Sequence, residues 1–396
     1  MEWREFLLAH EGDDLGKLAL ARERYVTEVE DFDLALTTLE VRRKLREKVP
    51  QWYAVPSLRF PLRVSGEQCS STETARYKAA VAAAAAKGCL ADLTGGLGVD
   101  SWAFAQVFDR VLYNEMRPEL ADAARRNFAE LGLSNVTVSC AELAAGKLPL
   151  ILGSFHPDIL FLDPARRAMD GRKVFRLEDC QPDVLQLLPE LLSACPLVLL
   201  KLSPMADISL VCKQLGCVKA AHVVAAEGEC KELLLLLERD YAGPYTLTVY
   251  SNGAVADITQ PPDPSYVMPD PDWASHPWLF DPGKALLKAG AFTWPCRFGL
   301  QKLGRHTHAY LSAAPVEALT PFGKWYEILE VTPLNNRSIK ELGKKYPRAE
   351  VTARNIPLTS DQLRAKLGVK SGGEIHFFGL HADAHAGNLL FVTRFC

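Results

Sequence analysis

Long apolar runs are missing from this chain of 396 residues. The leucine block Leu233–Leu237 falls far short of the roughly 20 residues that a membrane helix requires. No apolar stretch follows Glu2, Arg4 and Glu5, so no signal peptide is expected. Cys-x-x-Cys pairs are also absent. The ten cysteines are scattered, and the nearest two, Cys212 and Cys217, are spaced for neither a zinc knuckle nor a redox motif. The nine histidines form only two pairs, His306-x-His308 and His381-x-x-x-His385. The second pair would need a helix, which Gly387 and a strand-like tail oppose. No metal is therefore expected, and Cys89, Cys195 and Cys230 read as free thiols in a reducing cytoplasm. A surplus of one charge sign is lacking too. With 45 Lys and Arg against 48 Asp and Glu, whole-chain adhesion to nucleic acid is excluded and any RNA surface must be local.

What is present is a strand, a glycine-rich turn and a helix. Cys89-Leu90-Ala91-Asp92-Leu93-Thr94-Gly95-Gly96-Leu97-Gly98-Val99-Asp100 leads into a helical pattern from Ser101 to Phe108. This is the form of the first strand and nucleotide loop of a doubly wound α/β domain. Glu115 follows the apolar run 110–113, 23 residues after Asp92. An acid at the end of a second strand can accept both ribose hydroxyls of an adenosine cofactor. A dinucleotide fingerprint would need a third glycine where Ser101 stands. The acid before the glycines suits S-adenosylmethionine better, because that cofactor has no pyrophosphate and carries positive charge. A tight turn serving another ligand is the alternative.

Further along, residues 157–162 form a buried strand pattern that ends in Asp163-Pro164-Ala165-Arg166-Arg167. Ligands of doubly wound sheets sit beyond the carboxyl ends of the strands, so Asp163 falls where substrate meets cofactor. Pro164 stops the ladder there. Asn135–Cys140 is a third strand candidate. Glu142 beyond it is either an adenine-edge contact or a solvated loop acid.

From Gln68 to Asp240 the chain resembles the class I S-adenosylmethionine-dependent methyltransferases. Asp92, Gly95, Gly96 and Gly98 match the first family motif, Glu115 the second and Asp163-Pro164-Ala165-Arg166 the fourth. Exocyclic-amine methyltransferases carry an aromatic where Arg166 stands. The RNA uracil-C5 methyltransferases have a cysteine in the region where Ser203 stands. Across its whole length the chain resembles bacterial candidate methyltransferases with a C-terminal THUMP-like domain. The resemblance is carried by Glu67–Ser71, Thr74–Lys78, the Asp163 motif, Leu177–Cys180, Lys201–Met205, Asp281-Pro282 and Lys288–Gly290. THUMP domains bind RNA in tRNA-modifying enzymes, so the resemblance implies an RNA substrate, tRNA or rRNA.

The expected fold is α/β: a doubly wound, Rossmann-like methyltransferase sheet with an N-terminal helical region and a C-terminal α+β THUMP-like domain. The expected boundaries are 1–66 for the helical region, 67–258 for the methyltransferase domain, 259–282 for a proline-rich linker or crossover, and 283–396 for the THUMP-like domain. Asp31–Asp33 is expected to cap a helix, and Ser70 with Glu73 a second one. Arg42, Arg43, Lys44, Arg46 and Lys48 are either a solvated helix face or a substrate grip. Gln68 and Ser71 are pocket candidates, with capping as the simpler account. Asn252-Gly253 marks a hairpin turn. Residues 331–370 hold nine Lys and Arg against three Asp and Glu, with Tyr346 among them, which suits phosphate tracking.

The expected site follows from these pieces. Asp92, Thr94, Gly95, Gly96, Gly98, Glu115, Glu142 and Asp163 hold S-adenosylmethionine. Asp163, Arg166, Lys201 and Ser203 form the catalytic set, with Asp163 orienting the acceptor or taking its proton. Arg166, Arg167, Lys344, Lys345 and Arg348 contact the substrate. A small-molecule methyltransferase, and a non-catalytic protein that keeps the cofactor fold, are the alternatives.

Overall fold

Short apolar strands alternating with helices that have one buried face dictate the first part of the molecule. The computed structural model describes residues 2–166, 177–258, 273–385 and 387–396. The chain divides into two compact units, Met1–His222 with Glu232–Tyr245, and Val223–Lys231 with Thr246–Cys396.

The first unit opens with helices. The main one, α1 (Phe32–Lys48), is capped by Asp31, whose side chain accepts from the Leu34 N–H at 3.0 Å. It buries Phe32, Ala35, Leu39 and Leu45, and with them Arg42. The Arg42 guanidinium donates to the carbonyls of Tyr53 (2.9 Å) and Val55 (3.2 Å) and to Glu11 (3.1 Å). Arg43 holds the Glu11 carbonyl, Lys44 pairs with Glu67, and Lys48 donates to the Glu67 carbonyl at 2.7 Å. Four of the five basic residues of this cluster are thus tethers within the unit; Arg42 is buried rather than solvated, while Arg43 stays exposed on the helix face. Sequence pattern shows charge but not the carbonyls of a distant loop.

Next comes α2 (Thr72–Ala85). The sheet that carries the site has nine strands, among them β1 (Cys89–Asp92), β2 (Arg110–Asn114), β3 (Val136–Ser139), β4 (Ile159–Leu162), β5 (Leu197–Leu202), β6 (Val218–Ala226) and β7 (Glu229–Glu238). These seven run in the order β6-β7-β5-β4-β1-β2-β3. Strands β1 to β5 are parallel, and β7 runs antiparallel to β5 with Lys201 opposite Leu234. All of β4 is buried, as expected for a strand covered on both faces. The helices α3 (Val99–Phe104), α4 (Pro118–Glu130), α5 (Val184–Ala194) and α6 (Ile208–Leu215) follow β1, β2, β4 and β5. In α5, Val184, Leu187 and Leu191 are buried at helical spacing. Each such side chain contributes roughly 1.5–3 kcal/mol. Strand order reverses between β1 and β4, the switch point at which doubly wound sheets bind ligands.

In the second unit, β8 (Thr246–Ser251) and β9 (Ala254–Asp257) form a hairpin. Asn252 and Gly253 both have positive φ at its turn, as the Asn-Gly signal requires. A sheet of seven strands follows: β10 (Trp278–Pro282), β11 (Gln301–Lys302), β12 (Tyr310–Ser312), β13 (Gly323–Pro333), β14 (Glu350–Arg354), β15 (Ile375–His381) and β16 (Asn388–Phe395), in the order β11-β12-β10-β13-β16-β15-β14. The helices α7 (Asn336–Lys345) and α8 (Ser360–Leu367) cover one face through Ile339, Leu342, Leu363 and Leu367 against Phe377, Leu390 and Val392. The alternate residues Phe378, Leu380, Leu389 and Phe391 pack with Leu279, Leu303 and Leu311. This is the period of two expected of a sheet buried on both faces. Trp278–Pro282, inside the expected crossover, is a strand, and residues 259–272 lie outside the described residues.

Candidate functional site

The glycine loop is shaped by what surrounds it. The Gly95 N–H donates to the Asn114 carbonyl at 2.7 Å, which draws the loop onto the end of β2. A Cβ on Gly95 would stand 2.1 Å from the Tyr113 ring, so only glycine fits. Tyr113 donates its hydroxyl to the Gly96 carbonyl at 2.6 Å. Gly98 starts α3 with φ +95°, and a Cβ there would stand 2.9 Å from Phe128. The buried Trp52 also packs there, 3.6 Å from that same position. The N-terminal helical region therefore buttresses the loop.

Two carboxylates are fixed around it. Asp92 is buried at the end of β1. It accepts from the Thr94 N–H at 3.1 Å and from the Ser101 hydroxyl at 2.6 Å. Burial pushes its carboxyl up to about 7, assisted by the charges of Asp100 and Asp163 and opposed by the two hydrogen bonds. Ser101, the residue that breaks the dinucleotide fingerprint, is thus the one that holds Asp92. Glu115, beyond β2, accepts from the Gly96 N–H and the Arg117 N–H, both at 2.9 Å.

Asp163 sits past β4, and its N–H donates to the Thr94 hydroxyl at 2.6 Å. Its Oδ2 accepts from the Lys201 ammonium, which arrives from β5. Burial opposes the charge on Lys201. The carboxylates of Asp163, Glu232 and Asp100 outweigh it and hold the ammonium above the ordinary lysine range. Behind this pair lies a cluster that sequence reasoning missed. Lys78, fully buried in α2, donates to both oxygens of Glu232 at 2.9 Å and lies 3.2 Å from Asp100. Glu232 itself lies 4.0 Å from Lys201. Ser70 receives Lys78 at 2.8 Å and donates to Asp100 at 3.0 Å. The expected capping role of Ser70 is corrected accordingly: Ser71 caps α2, accepting from the Thr74 N–H at 3.2 Å. The available signals were a lone lysine in an alanine-rich helix and a lone acid before five leucines.

Glu142 is exposed in the loop after β3. Ser203 follows β5 and accepts from the Met205 N–H at 3.2 Å. The backbone of Ala165–Arg166 pairs with Cys180–Gln181, while Arg167 lies outside the described residues. In the second unit Lys344, Lys345 and Arg348 are exposed, and Lys345 is paired with Glu330 at 2.8 Å. Arg337 pairs with Glu341 at 2.9 Å and Arg354 with Asp281 at 2.5 Å. Lys340 and Lys344 share the exposed face of α7 one turn apart and have no ion pair among the described residues.

The first-unit residues suit S-adenosylmethionine. Gly95 and Gly98 let the loop close onto the Tyr113 and Phe128 rings, while the Cβ position of Gly96 meets nothing nearer than the Thr94 carbonyl at 4.0 Å, so a ligand can approach the backbone there. Asp92 is a buried carboxylate in need of a cation. The buried Oδ1 of Asn114 lacks a hydrogen-bond donor among the described residues. Among the described residues no group of His, Cys, Asp and Glu is arranged to hold a metal, and no helix is long and apolar enough to cross a membrane.

A family described as THUMP domain-like matches residues 323–394, and one described as a ferredoxin-like domain matches 278–319. No curated protein matches the chain. A crystal structure from Porphyromonas gingivalis W83, of a candidate methyltransferase, is similar over 99% of this chain and 97% of that one, with 30% identity and a TM-score of 0.82. An O-methyltransferase from Bacillus cereus, in complex with SAH, is 12% identical over 50% of this chain and 90% of its own, at TM-score 0.35. NSun6 from Pyrococcus horikoshii, with SFG, is 13% identical over 42% and 51%, at 0.32. Likeness as slight as these last two carries no argument. The first covers the sheet, the glycine loop and the C-terminal unit together, and on it the chain belongs to the family of bacterial candidate methyltransferases that join a class I fold to a THUMP-like domain.

Proposed function

We propose that the protein is an S-adenosylmethionine-dependent methyltransferase acting on an RNA nucleotide, in tRNA or rRNA. The observation that carries the reading is the meeting of Asp92, Glu115 and Asp163 around one glycine loop at the switch point of the sheet. S-adenosylmethionine, when bound, supplies a methyl group on a sulfonium that an acceptor displaces in line. The protein's part is then positioning. Asp92 and residues 94–98 hold the methionine portion. Glu115, fixed by two backbone N–H groups, keeps lone pairs for the ribose hydroxyls. Lys201 occupies one oxygen of Asp163, and the other is presented to the acceptor, which it orients. Glu142, Ser203 and the 166–167 arginines remain candidates for the adenine edge, the acceptor and a nearby phosphate.

The RNA reading rests on the THUMP-like segment and on the exposed face of α7, where Lys340 and Lys344 stand ready for phosphates. The test has two stages. Calorimetric titration with S-adenosylmethionine, S-adenosylhomocysteine and NAD should give heats for the first two alone; silence from both would sink the cofactor reading. Methyl incorporation from labelled cofactor into bulk tRNA and rRNA then tests the substrate. Incorporation only into a small-molecule extract would replace the RNA reading with a small-molecule one.

A further inference from the structure

The charge cluster behind Asp163 is placed and paired more tightly than a fold needs. Five groups from five parts of the chain meet in it: Lys78 in α2, Asp100 in α3, Asp163 after β4, Lys201 in β5 and Glu232 in β7. Lys78 is fully buried and Glu232 is 3% exposed. Apolar residues of the same volume would commonly serve stability as well as a buried ion pair does. Its retention beside a ligand site is a reason to seek a role there.

The composition of the cluster is unequal. Two lysines face three carboxylates among the described residues; burial raises the Glu232 carboxyl above its ordinary range while Lys78 and Lys201 oppose that, so the surplus is up to one negative charge. Asp92, buried on the other side of Thr94, adds a second when it ionises. Lys78 bridges both oxygens of Glu232, which fixes that carboxylate near Lys201, and Lys201 in turn is held on Asp163. The surplus is therefore anchored in a buried frame, where water screens it little.

We propose that this cluster makes the site select its ligand by charge: Glu232 and Asp100 favour the cationic sulfonium cofactor over the neutral thioether left after methyl transfer, and Lys78 sets the limit of that preference. The inference rests on the S-adenosylmethionine reading above and deepens it. Methyl transfer breaks the sulfur–methyl bond and leaves the bonding pair on sulfur, so the ligand loses one positive charge. A site with a fixed negative surplus then holds the product less tightly than the cofactor, and turnover discharges it.

The test is calorimetric affinity for S-adenosylmethionine and for S-adenosylhomocysteine, measured side by side on the full-length chain. The wild type should prefer the cofactor several-fold. E232Q removes a negative charge and should shift the preference toward S-adenosylhomocysteine by about threefold or more. K78M removes a positive charge and should shift it the other way. Loss of packing would change both affinities together and cannot give shifts of opposite sign. Should E232Q or K78M fail to fold, D100N, at a side chain that retains 12% exposure, gives the same sign of change as E232Q and decides the matter. A ratio unmoved in folded D100N and E232Q, or moved the same way in K78M as in E232Q, overturns the inference while leaving cofactor binding intact. Failure of the wild type to bind either ligand would overturn the cofactor reading itself.

Discussion

The two units handle charge in opposite ways. In the first, the ionic groups of the cluster behind Asp163 are buried, packed one against another and drawn from residues as far apart as Lys78 and Glu232. In the second, the cations of α7 point to solvent: Arg337 and Lys345 pair with a carboxylate on the same helix or on a nearby strand, and Lys340 and Lys344 have no ion pair among the described residues. Buried charges are specific because a wrong geometry leaves them desolvated and unpaired. Exposed charges are adaptable, since water serves them in any arrangement. The first pattern suits a small ligand held in one pose, and the second suits a long polyanion that can slide and reseat.

The sharpest break in this contrast should come from Lys78. K78M leaves Glu232 without its main partner, and removal of one member of a buried pair costs about 3–5 kcal/mol. Lys201, 4.0 Å away, offsets part of this, so the lower end of that range is expected. The double variant K78M/E232L removes the pair together and should recover most of the loss in urea denaturation. Equal losses in the single and double variants would mean that Glu232 does not depend on Lys78.

Gly95→Ala comes next. Its Cβ would press into the Tyr113 ring, and overpacking of this kind costs about 1–3 kcal/mol. The larger effect should be on ligand binding, because the ring can yield only by moving the hydroxyl that holds the Gly96 carbonyl. Calorimetry should show S-adenosylmethionine binding abolished at ligand concentrations that saturate the wild type. Retained affinity would show that the loop can open without cost.

Asp92 gives a pH signature. Its folded value, about 7, lies above the unfolded value near 3.8. The stability it contributes is complete below pH about 4 and is lost as pH rises through about 7. Ligand affinity should run the other way. A cation prefers the ionised carboxylate, so affinity for S-adenosylmethionine should fall by up to about tenfold per pH unit below pH 7 and level off above it. D92N should bind weakly and without that slope. A wild-type affinity flat from pH 5.5 to 8 would show that Asp92 does not face the cationic part of the ligand.

How far these features are legible in the sequence depends on the range of the interactions. Asp92, Glu115 and Asp163 stand out because each follows a short apolar strand, and a parallel sheet brings all strand ends to one edge. Lys78, Asp100 and Glu232 do not, since nothing local marks a lysine in an alanine-rich helix as the partner of an acid 154 residues away. Ser70 shows the same limit from another side. Its spacing to Glu73 fits a capping box, yet a buried lysine and Asp100 claim its hydroxyl and the cap passes to Ser71. Arg42 reads as a solvated cation because its carbonyl partners, Tyr53 and Val55, lie at the end of a one-turn helix and just beyond it, which no periodicity predicts.

The second unit should give the smallest effect on folding. Lys340 and Lys344 stand on the outer face of α7, opposite Ile339, Leu342 and Gly343, which are buried. Reversing both, K340E/K344E, should leave the thermal melt where it was, since surface changes away from caps and cores are nearly neutral. RNA affinity should nevertheless drop severalfold at low salt. The slope of log affinity against log salt should flatten by about 0.7–0.9 for each phosphate that the variant no longer neutralises, whatever the RNA sequence. Arg337 and Lys345 offer an internal control, because each is already engaged by a carboxylate and should release fewer counterions when reversed. Equal flattening at all four positions would mean that the RNA draws the paired cations away from Glu341 and Glu330, and that the whole face of the helix, rather than its unpaired edge, meets the polyanion.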